Sequence, residues 1–281
     1  MEPTTWLTEQ VVASFDGTPD PRTRELLTGL VRTLHEYVTE HEVTEREWSR
    51  AIDFLTRAGH LTDDKRQEFV LLSDVLGVSS MVDLLMNSRS PDTTPSAVLG
   101  PFYVEGPPPR AHGDDIADGL PGTPLWVDVQ VTDTDGKPLA DAVVDVWQSN
   151  EDGFYDVQLP ELDGPVLRAR FHTDGDGRLR FWSILPHEYP VPGDGPVGEL
   201  LAETGRHPFR APHLHFLIQA EGHPRLITQL FVRGGRYLDS DTVFGVKEEL
   251  IAEFAERTGP APDGRVPGGD WRSLEFTFRI G

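Results

Sequence analysis

Over the first ninety residues the apolar positions keep a helical period. Leu26, Leu27, Leu30, Val31, Leu34, Tyr37 and Val38 recur at spacings of three and four, which gathers them on one face of a helix. Asp20-Pro21 marks its start, an N-cap acceptor followed by a proline whose missing N–H costs nothing at the first helical position. Thr44-x-x-Glu47 reads as a capping box opening a second helix, with Trp48, Ile52 and Leu55 on one stripe and Gly59 expected just past its end. A third helix is predicted from about residue 62 to 76, stopping at Gly77, and a short fourth over 79–87.

From Ser90 the pattern changes. Pro91, Pro95, Pro101 and Pro107-Pro108-Pro109 mark a long irregular crossing segment. Beyond Pro124 the period falls to two: Leu125, Val127, Val129 and Val131 alternate with Trp126, Asp128, Gln130 and Thr132, as in a half-buried strand. A turn at 133–136 leads to a return strand over 142–148. Residues 168–173 and 178–184, joined by Asp174-Gly-Asp-Gly177, predict a β-hairpin, and 213–220, 226–232 and 274–280 supply further strands. The expectation is a mainly β chain with α: a helical region over 1–90, then an antiparallel β-sandwich over 91–281.

Candidate chemistry centres on Arg210-x-x-His213-Leu-His215. Histidines two apart on a strand point to one face and can share a metal ion, with a fixed cation close by. Taken alone the pair is open to other readings. Two ordinary strand histidines would look the same. A cupin also opens with His-x-His, but the Glu it needs after three or four intervening residues comes only after five, as Glu221, and the only later His is His223 beside it. The chain has no cysteine, so any metal must be held by N and O donors. Tyr155, in Asn150-Glu-Asp-Gly-Phe-Tyr-Asp-Val-Gln158, and Tyr189, in Leu185-Pro-His-Glu-Tyr-Pro-Val-Pro192, sit in Gly/Pro-rich loops just past strands, where sites are usually carried. Two phenolates with two imidazoles form a hard, anionic set suited to Fe(III).

Composition narrows the partners. The 281-residue chain carries a net charge of −22 with the acids spread along it, which serves solubility and leaves no basic footprint for nucleic acid. The N-terminal residues show neither a basic n-region nor an apolar h-region, and no stretch approaches the length of a membrane span. A soluble, cytoplasmic protein that is not membrane-embedded is expected.

Trp147, Gly153-Phe-Tyr155-Asp-Val-Gln158, Pro186-x-x-Tyr189-Pro-x-Pro192, Gly205-Arg-His-Pro-x-Arg210-x-x-His213-Leu-His215-Phe216 and Gln229 together resemble the intradiol ring-cleavage dioxygenases of the catechol type. The likeness covers nearly the whole chain. It implies one Fe(3+) per subunit, held by Tyr155, Tyr189, His213 and His215, with Arg210 and Gln229 beside the substrate and Tyr189 serving as the base. It implies an aromatic diol or triol and O2 as substrates, with both oxygen atoms entering a ring-opened dicarboxylic acid. It also implies a homodimer through the helices of 1–90, with a phospholipid bound between the subunits. The segments 152–158, 194–198 and 243–247 resemble the hydroxyquinol (benzene-1,2,4-triol) branch, whose product is 3-hydroxy-cis,cis-muconate, the enol of maleylacetate. Catechol or chlorocatechol cleavage is the alternative within the family. A non-catalytic β-sandwich binding module is the alternative outside it, from the Gly136-Lys-Pro-Leu region. By the same resemblance the pocket is expected to draw on Asp83, Leu99, Gly100, Pro101, Phe102 and Val191, with Asp83 accepting a hydrogen bond from the third hydroxyl.

Overall fold

The computed structural model describes residues 3–63, 66–87, 92–159, 162 and 164–281; Ser90 and Pro91, where the sequence pattern changes, lie outside them. Two compact units divide at 57/58. The first contains α1 (Pro3–Ala13), α2 (Pro21–Glu40) and most of α3 (Glu45–Leu61). Asp20 caps α2 as expected, accepting from the Thr23 backbone N–H at 2.7 Å. The capping box is also present: Thr44 N–H donates to Glu47 Oε2 (2.9 Å) and Glu47 N–H to Thr44 Oγ1 (3.3 Å). The sequence pattern did not single out α1, which is tied to α2 by Arg32–Glu9 and by a Thr8–His35 hydrogen bond of 2.9 Å. No residue of α2 is buried, and Leu26, Leu30, Leu34, Tyr37 and Val38 lie on its surface. Removing the cap with Asp20→Ala is expected to cost about 1 kcal/mol, read as a lower urea midpoint of far-UV ellipticity; an unshifted midpoint would show the cap to be dispensable.

In the second unit two helix boundaries differ from expectation. Gly59 does not end α3, which continues to Leu61; Gly59 stays helical, with Phe69 3.7 Å from where a Cβ would sit. The next helix, α4 (Glu68–Val75), is half the predicted length; before it the Asp63 N–H donates to Arg66 O (2.8 Å) in place of a helical partner. Gly77 ends the segment at φ +72°, a conformation glycine adopts without a Cβ penalty, and α5 (Val78–Asn87) follows. Since α4 and α5 fall in this unit, the helical stretch of 1–90 contributes to both units.

The strands are β1 (Pro124–Asp133), β2 (Val143–Trp147), β3 (Arg168–His172), β4 (Arg178–Ile184), β5 (Tyr189–Pro190), β6 (Phe209–Arg210), β7 (His213–Gln219), β8 (Leu226–Val232), β9 (Ile251–Ala252), β10 (Phe254–Arg257) and β11 (Trp271–Ile280), with α6 (Pro196–Glu203) between β5 and β6. They form a sandwich of two sheets, β10-β11-β1-β4 and β3-β2-β7-β8-β9, and a two-stranded β5-β6 ribbon. Pairing is antiparallel except for β1 with β11 and β8 with β9, which are parallel. Leu125, Val127, Val129 and Val131 on β1 are fully buried and share one core with Val144 and Val146 of β2 and Leu214, Phe216 and Ile218 of β7.

The predicted hairpin over 168–184 is not a ladder. β3 pairs with β2 in one sheet and β4 with β1 in the other, so the Asp174–Gly177 turn crosses between sheets. Phe171 and Phe181 therefore meet across the core, with rings stacked at 4.9 Å. The Asp174 carboxylate caps its own turn, accepting from the N–H groups of Asp176 (2.9 Å) and Arg178 (2.8 Å). Among the described residues no single helix is long and apolar enough to cross a membrane.

Candidate metal centre and active site

One strand, β7, carries two of the four candidate ligands; the turn after β2 and the short strand β5 carry one each. His213 and His215 open β7 and face one side of the sheet. His215 lies directly opposite Trp147 on β2 and Gln229 on β8, so Trp147, His215 and Gln229 form one cross-strand row. Tyr155 follows β2 and is fixed at the start of a 3-10 turn (Asp156–Gln158), its own N–H donating to Gln158 Oε1 (2.9 Å). Tyr189 stands on β5, paired in register with Arg210 on β6. Gly153 lets the two tyrosine loops meet. It has φ +82°, and a Cβ there would lie 2.8 Å from the Glu188 carbonyl oxygen and 3.0 Å from Tyr189 Cβ.

All four side chains are buried. His215 Nε2 lies 3.0 Å from His213 Nε2 and 3.1 Å from Tyr155 Oη. The Tyr189 ring meets Tyr155 edge-on at 5.2 Å and lies 5.6 Å from His213. With metal–ligand bonds of about 2.1 Å, two donor atoms at right angles on one ion are about 3.0 Å apart. The measured separations fit donors converging on one point, so the residues present fit a metal ion. Among the described residues no group of three or more His, Asp or Glu could hold one, and an ion here therefore needs the tyrosines.

Protonation agrees. His213 Nδ1–H donates to the Ala211 carbonyl (2.6 Å), which leaves its Nε2 lone pair free for a metal, as an oriented ligand requires. Burial, followed by the Arg210 charge, holds His213 well below the ordinary imidazole value, so it is neutral. Burial, then His213, Arg210 and Arg168, do the same for His215. Burial pushes the Tyr155 phenol well above its usual value of about 10, and Tyr189 pushes it further. A trivalent cation reverses that balance, since the ion is then the largest local charge.

The surroundings hold this cluster still. Trp147 stacks on His215 (4.5 Å, 13°) and Phe102 on Tyr155 (4.4 Å, 21°). Gly100, at φ +76°, passes within ordinary contact of His215. Arg210 is buried. Burial opposes its charge, but the Asp241 carboxylate and the Tyr189 and Tyr155 phenols outweigh that and raise its pKa. Its Nη2 donates to Gln229 Oε1 (3.0 Å), its Nε to Asp241 (3.2 Å), and its Nη1 points at His213 Nε2 (3.3 Å). Gln229 is anchored by its Nε2–H to Val98 O (2.8 Å).

A cavity of about 180 Å³, lined by Arg66, Leu71, Asp74, Pro101, Phe102 and Pro192 among others, borders the cluster through Phe102. At about 30 Å³ per water, it has room for one substituted benzene ring. A larger cleft of about 550 Å³ between α1 and α2 is open to solvent; it contains none of the four ligands, and its Arg32 and His35 are already paired. Of the expected pocket residues, Pro101 and Phe102 line the cavity, Leu99 packs beside Tyr155 and Tyr189, and Val191 is buried next to Pro192. The Asp83 carboxylate on α5 accepts from the Ser96 hydroxyl and the Lys247 ammonium. Two buried acids line the cavity: Glu68, held by Arg66 and by the Val197 N–H, and Asp74 on α4, which sequence reasoning missed. A buried Asp within Phe69-Val-Leu-Leu-Ser-Asp74-Val, an otherwise apolar run, was the available signal. Burial raises its carboxyl above the usual range, while a Ser79 hydrogen bond and the Arg210 charge pull it back.

Sequence and structure comparisons give the family. A family model described as dioxygenase matches residues 98–280, and one described as catechol dioxygenase N terminus matches 20–94. The chain is 50% identical to the hydroxyquinol 1,2-dioxygenase of Rhodococcus opacus, covering 96% of this chain and 91% of the relative. It is 48% identical to that of Nocardioides simplex, covering 96% and 92%. The crystal structure of hydroxyquinol 1,2-dioxygenase from Pseudomonas putida DLL-E4 superposes with a TM-score of 0.92 at 41% identity, covering 99% and 98%. The fold and the matched family models define a dioxygenase. The chain belongs to the intradiol ring-cleavage dioxygenases, an iron-dependent enzyme family, which sets aside the binding-module reading.

Proposed function

We propose that the protein cleaves benzene-1,2,4-triol with O2 between its two adjacent hydroxylated carbons, giving 3-hydroxy-cis,cis-muconate. The observation that carries the choice of substrate is Asp74, a buried carboxylate on a single-ring cavity, within the field of Arg210. A hydroxyl on C4 of the ring gives Asp74 a further donor beside its Ser79 hydrogen bond, whereas catechol offers it only C–H. The names of the relatives point the same way.

Tyr155, Tyr189, His213 and His215 would hold one Fe(3+) per subunit. Bound there, the ion would supply Lewis acidity towards the diol and O2. The chain's own residues do the rest. Tyr189 Oη takes up a proton given off by the arriving diol, as a general base. Among the described residues Arg210 Nη1 has only His213 Nε2 as an acceptor, the lone pair that would hold the ion. The two N–H groups of Nη1 are then available to stabilise negative charge developing on the substrate. Phe102, Pro101 and Trp147 keep bulk water from the reacting carbons.

The test compares kcat/KM of the iron-loaded protein for benzene-1,2,4-triol, catechol and chlorocatechols. We expect the triol to be preferred over catechol by at least about 100-fold, because a site built to pair a hydroxyl rejects the analogue lacking it. Asp74→Leu should narrow that ratio by lowering the value for the triol. A parent that prefers catechol, or an Asp74→Leu ratio equal to the parent's, would overturn the assignment.

We also infer a homodimer through the helices of 1–90. Leu26, Leu30, Leu34 and Tyr37 on α2 and Trp48, Ile52 and Leu55 on α3 form an exposed apolar surface of the kind that marks an interaction site. A phospholipid between the subunits and a cytoplasmic location belong to the same proposal. Light scattering on the eluting protein should give twice the chain mass, and solvent extraction should release the lipid.

A further inference from the structure

We propose that Asp241 is the positioning residue of the active site, fixing the Arg210 guanidinium so that only its Nη1 edge is left for the reacting diol; this rests on the role given to Arg210 above. Four donors converge on its carboxylate. Oδ1 accepts from Arg210 Nε (3.2 Å) and from the Ala211 N–H (3.2 Å). Oδ2 accepts from the Gly245 N–H (2.8 Å) and from Arg210 Nη2 (3.4 Å). The Arg210 and Asp241 side chains are 4% and 1% exposed, so each charge depends on the other, having lost water.

The hydrogen-bond count on Arg210 gives this contact its function. Asp241 takes Nε and one hydrogen of Nη2, and Gln229 Oε1 takes the other. Nη1 alone stays directed towards His213 Nε2. Asp241 therefore selects which face of a five-donor fork meets the substrate. Through the Ala211 peptide it also steadies His213, whose Nδ1–H donates to the Ala211 carbonyl.

The turn that carries Asp241 is fastened to α4 and α5. Arg206 donates to Val75 O and Thr242 O (2.7 Å each), and the Ser80 hydroxyl to Val243 O (2.8 Å). Gly245 leaves the space the ion pair fills: a Cβ there would lie 2.8 Å from Arg210 Nη2 and 3.2 Å from Asp241 Oδ2.

Asp241→Asn keeps an acceptor for Ala211 but replaces Oδ2 with a donor facing Gly245 N–H and Arg210 Nη2. Its crystal structure reads the positioning without any substrate; we expect the Arg210 guanidinium to be displaced from His213, and an unmoved guanidinium would overturn the proposal. In the iron-loaded protein, iron content and the visible tyrosinate band should stay at the parent's level, while kcat per bound iron falls about 10- to 100-fold, the usual cost of an outer partner. Anaerobic binding of benzene-1,2,4-triol, followed by the change in that band, should weaken much less than kcat falls. A double-mutant cycle with Arg210→Lys should be non-additive, the double variant losing no more than Arg210→Lys alone. Additive losses, or an Asp241→Asn kcat equal to the parent's, refute the proposal. Should Asp241→Asn fail to fold, Gly245→Ala decides: its methyl group pushes on Arg210 Nη2, and an unchanged kcat per iron would overturn the proposal as well. A parent that cleaves no diol sinks the functional reading alone, because the crystal structure still judges Asp241.

Discussion

Tyr155→Phe should bleach the protein and stop ring cleavage while leaving the fold intact. The side chain is fully buried, its ring stacks on Phe102, and its Oη lies 3.1 Å from His215 Nε2. Phenylalanine keeps the ring contacts and removes only the oxygen. The metal-free protein should lose little stability and can gain some, because a buried hydroxyl is costly wherever its partner is poor. Iron binding is another matter. Two imidazoles and a single phenol lack the anionic charge that a ferric ion requires, so occupancy and the red-brown tyrosinate absorption should both collapse. The loss in kcat should exceed about 100-fold, since outer partners alone are worth 10- to 100-fold. The check is iron per subunit, the visible spectrum and the melting temperature on one preparation. A coloured, active Tyr155→Phe would remove this residue from the ligand set.

The parts legible in the sequence were those whose signal is local. β1 announced itself because Leu125 to Val131 alternate without a break, and the Asp20 and Thr44 caps lie next to the helices they open. The four candidate ligands could be picked out for the same reason, each standing inside a short motif, and the fold brings them together. Where the signal depends on what a segment packs against, the reading failed. Asp174-Gly-Asp-Gly177 makes the same backbone turn whether the strands continue as a ladder or part into two sheets; only the core contact of Phe171 with Phe181 separates the cases. Asp83 and Asp74 both sit on short apolar helices. That Asp74 lines this cavity and that Asp83 pairs with Lys247, far along the chain, are both set by the tertiary packing. Asp241 gave no signal at all, being one acid among several in an ordinary loop until the fold sets it against Arg210.

The other large effect should come from Asp156, the residue after Tyr155. Its carboxylate receives Arg168 Nε at 2.8 Å and Nη2 as a bidentate pair, with side chains only 6% and 2% exposed. This pair joins the tyrosine loop to β3. Arg168 lies close enough to act electrostatically on both Tyr155 and His215. Asp156→Ala strands the guanidinium without a counter-charge, and breaking one side of a buried pair costs about 3–5 kcal/mol. The melting temperature should drop sharply, and iron occupancy should fall with it, because an unpaired cation then faces the ion. Asp156→Leu combined with Arg168→Met removes both charges together. Apolar replacement of a buried pair is often neutral or stabilising, so the double variant should recover most of the stability and the iron. If it stays as unstable as Asp156→Ala, the pair is not acting through charge. The bidentate geometry itself would then be what fixes the Tyr155 loop, and no apolar packing could replace it.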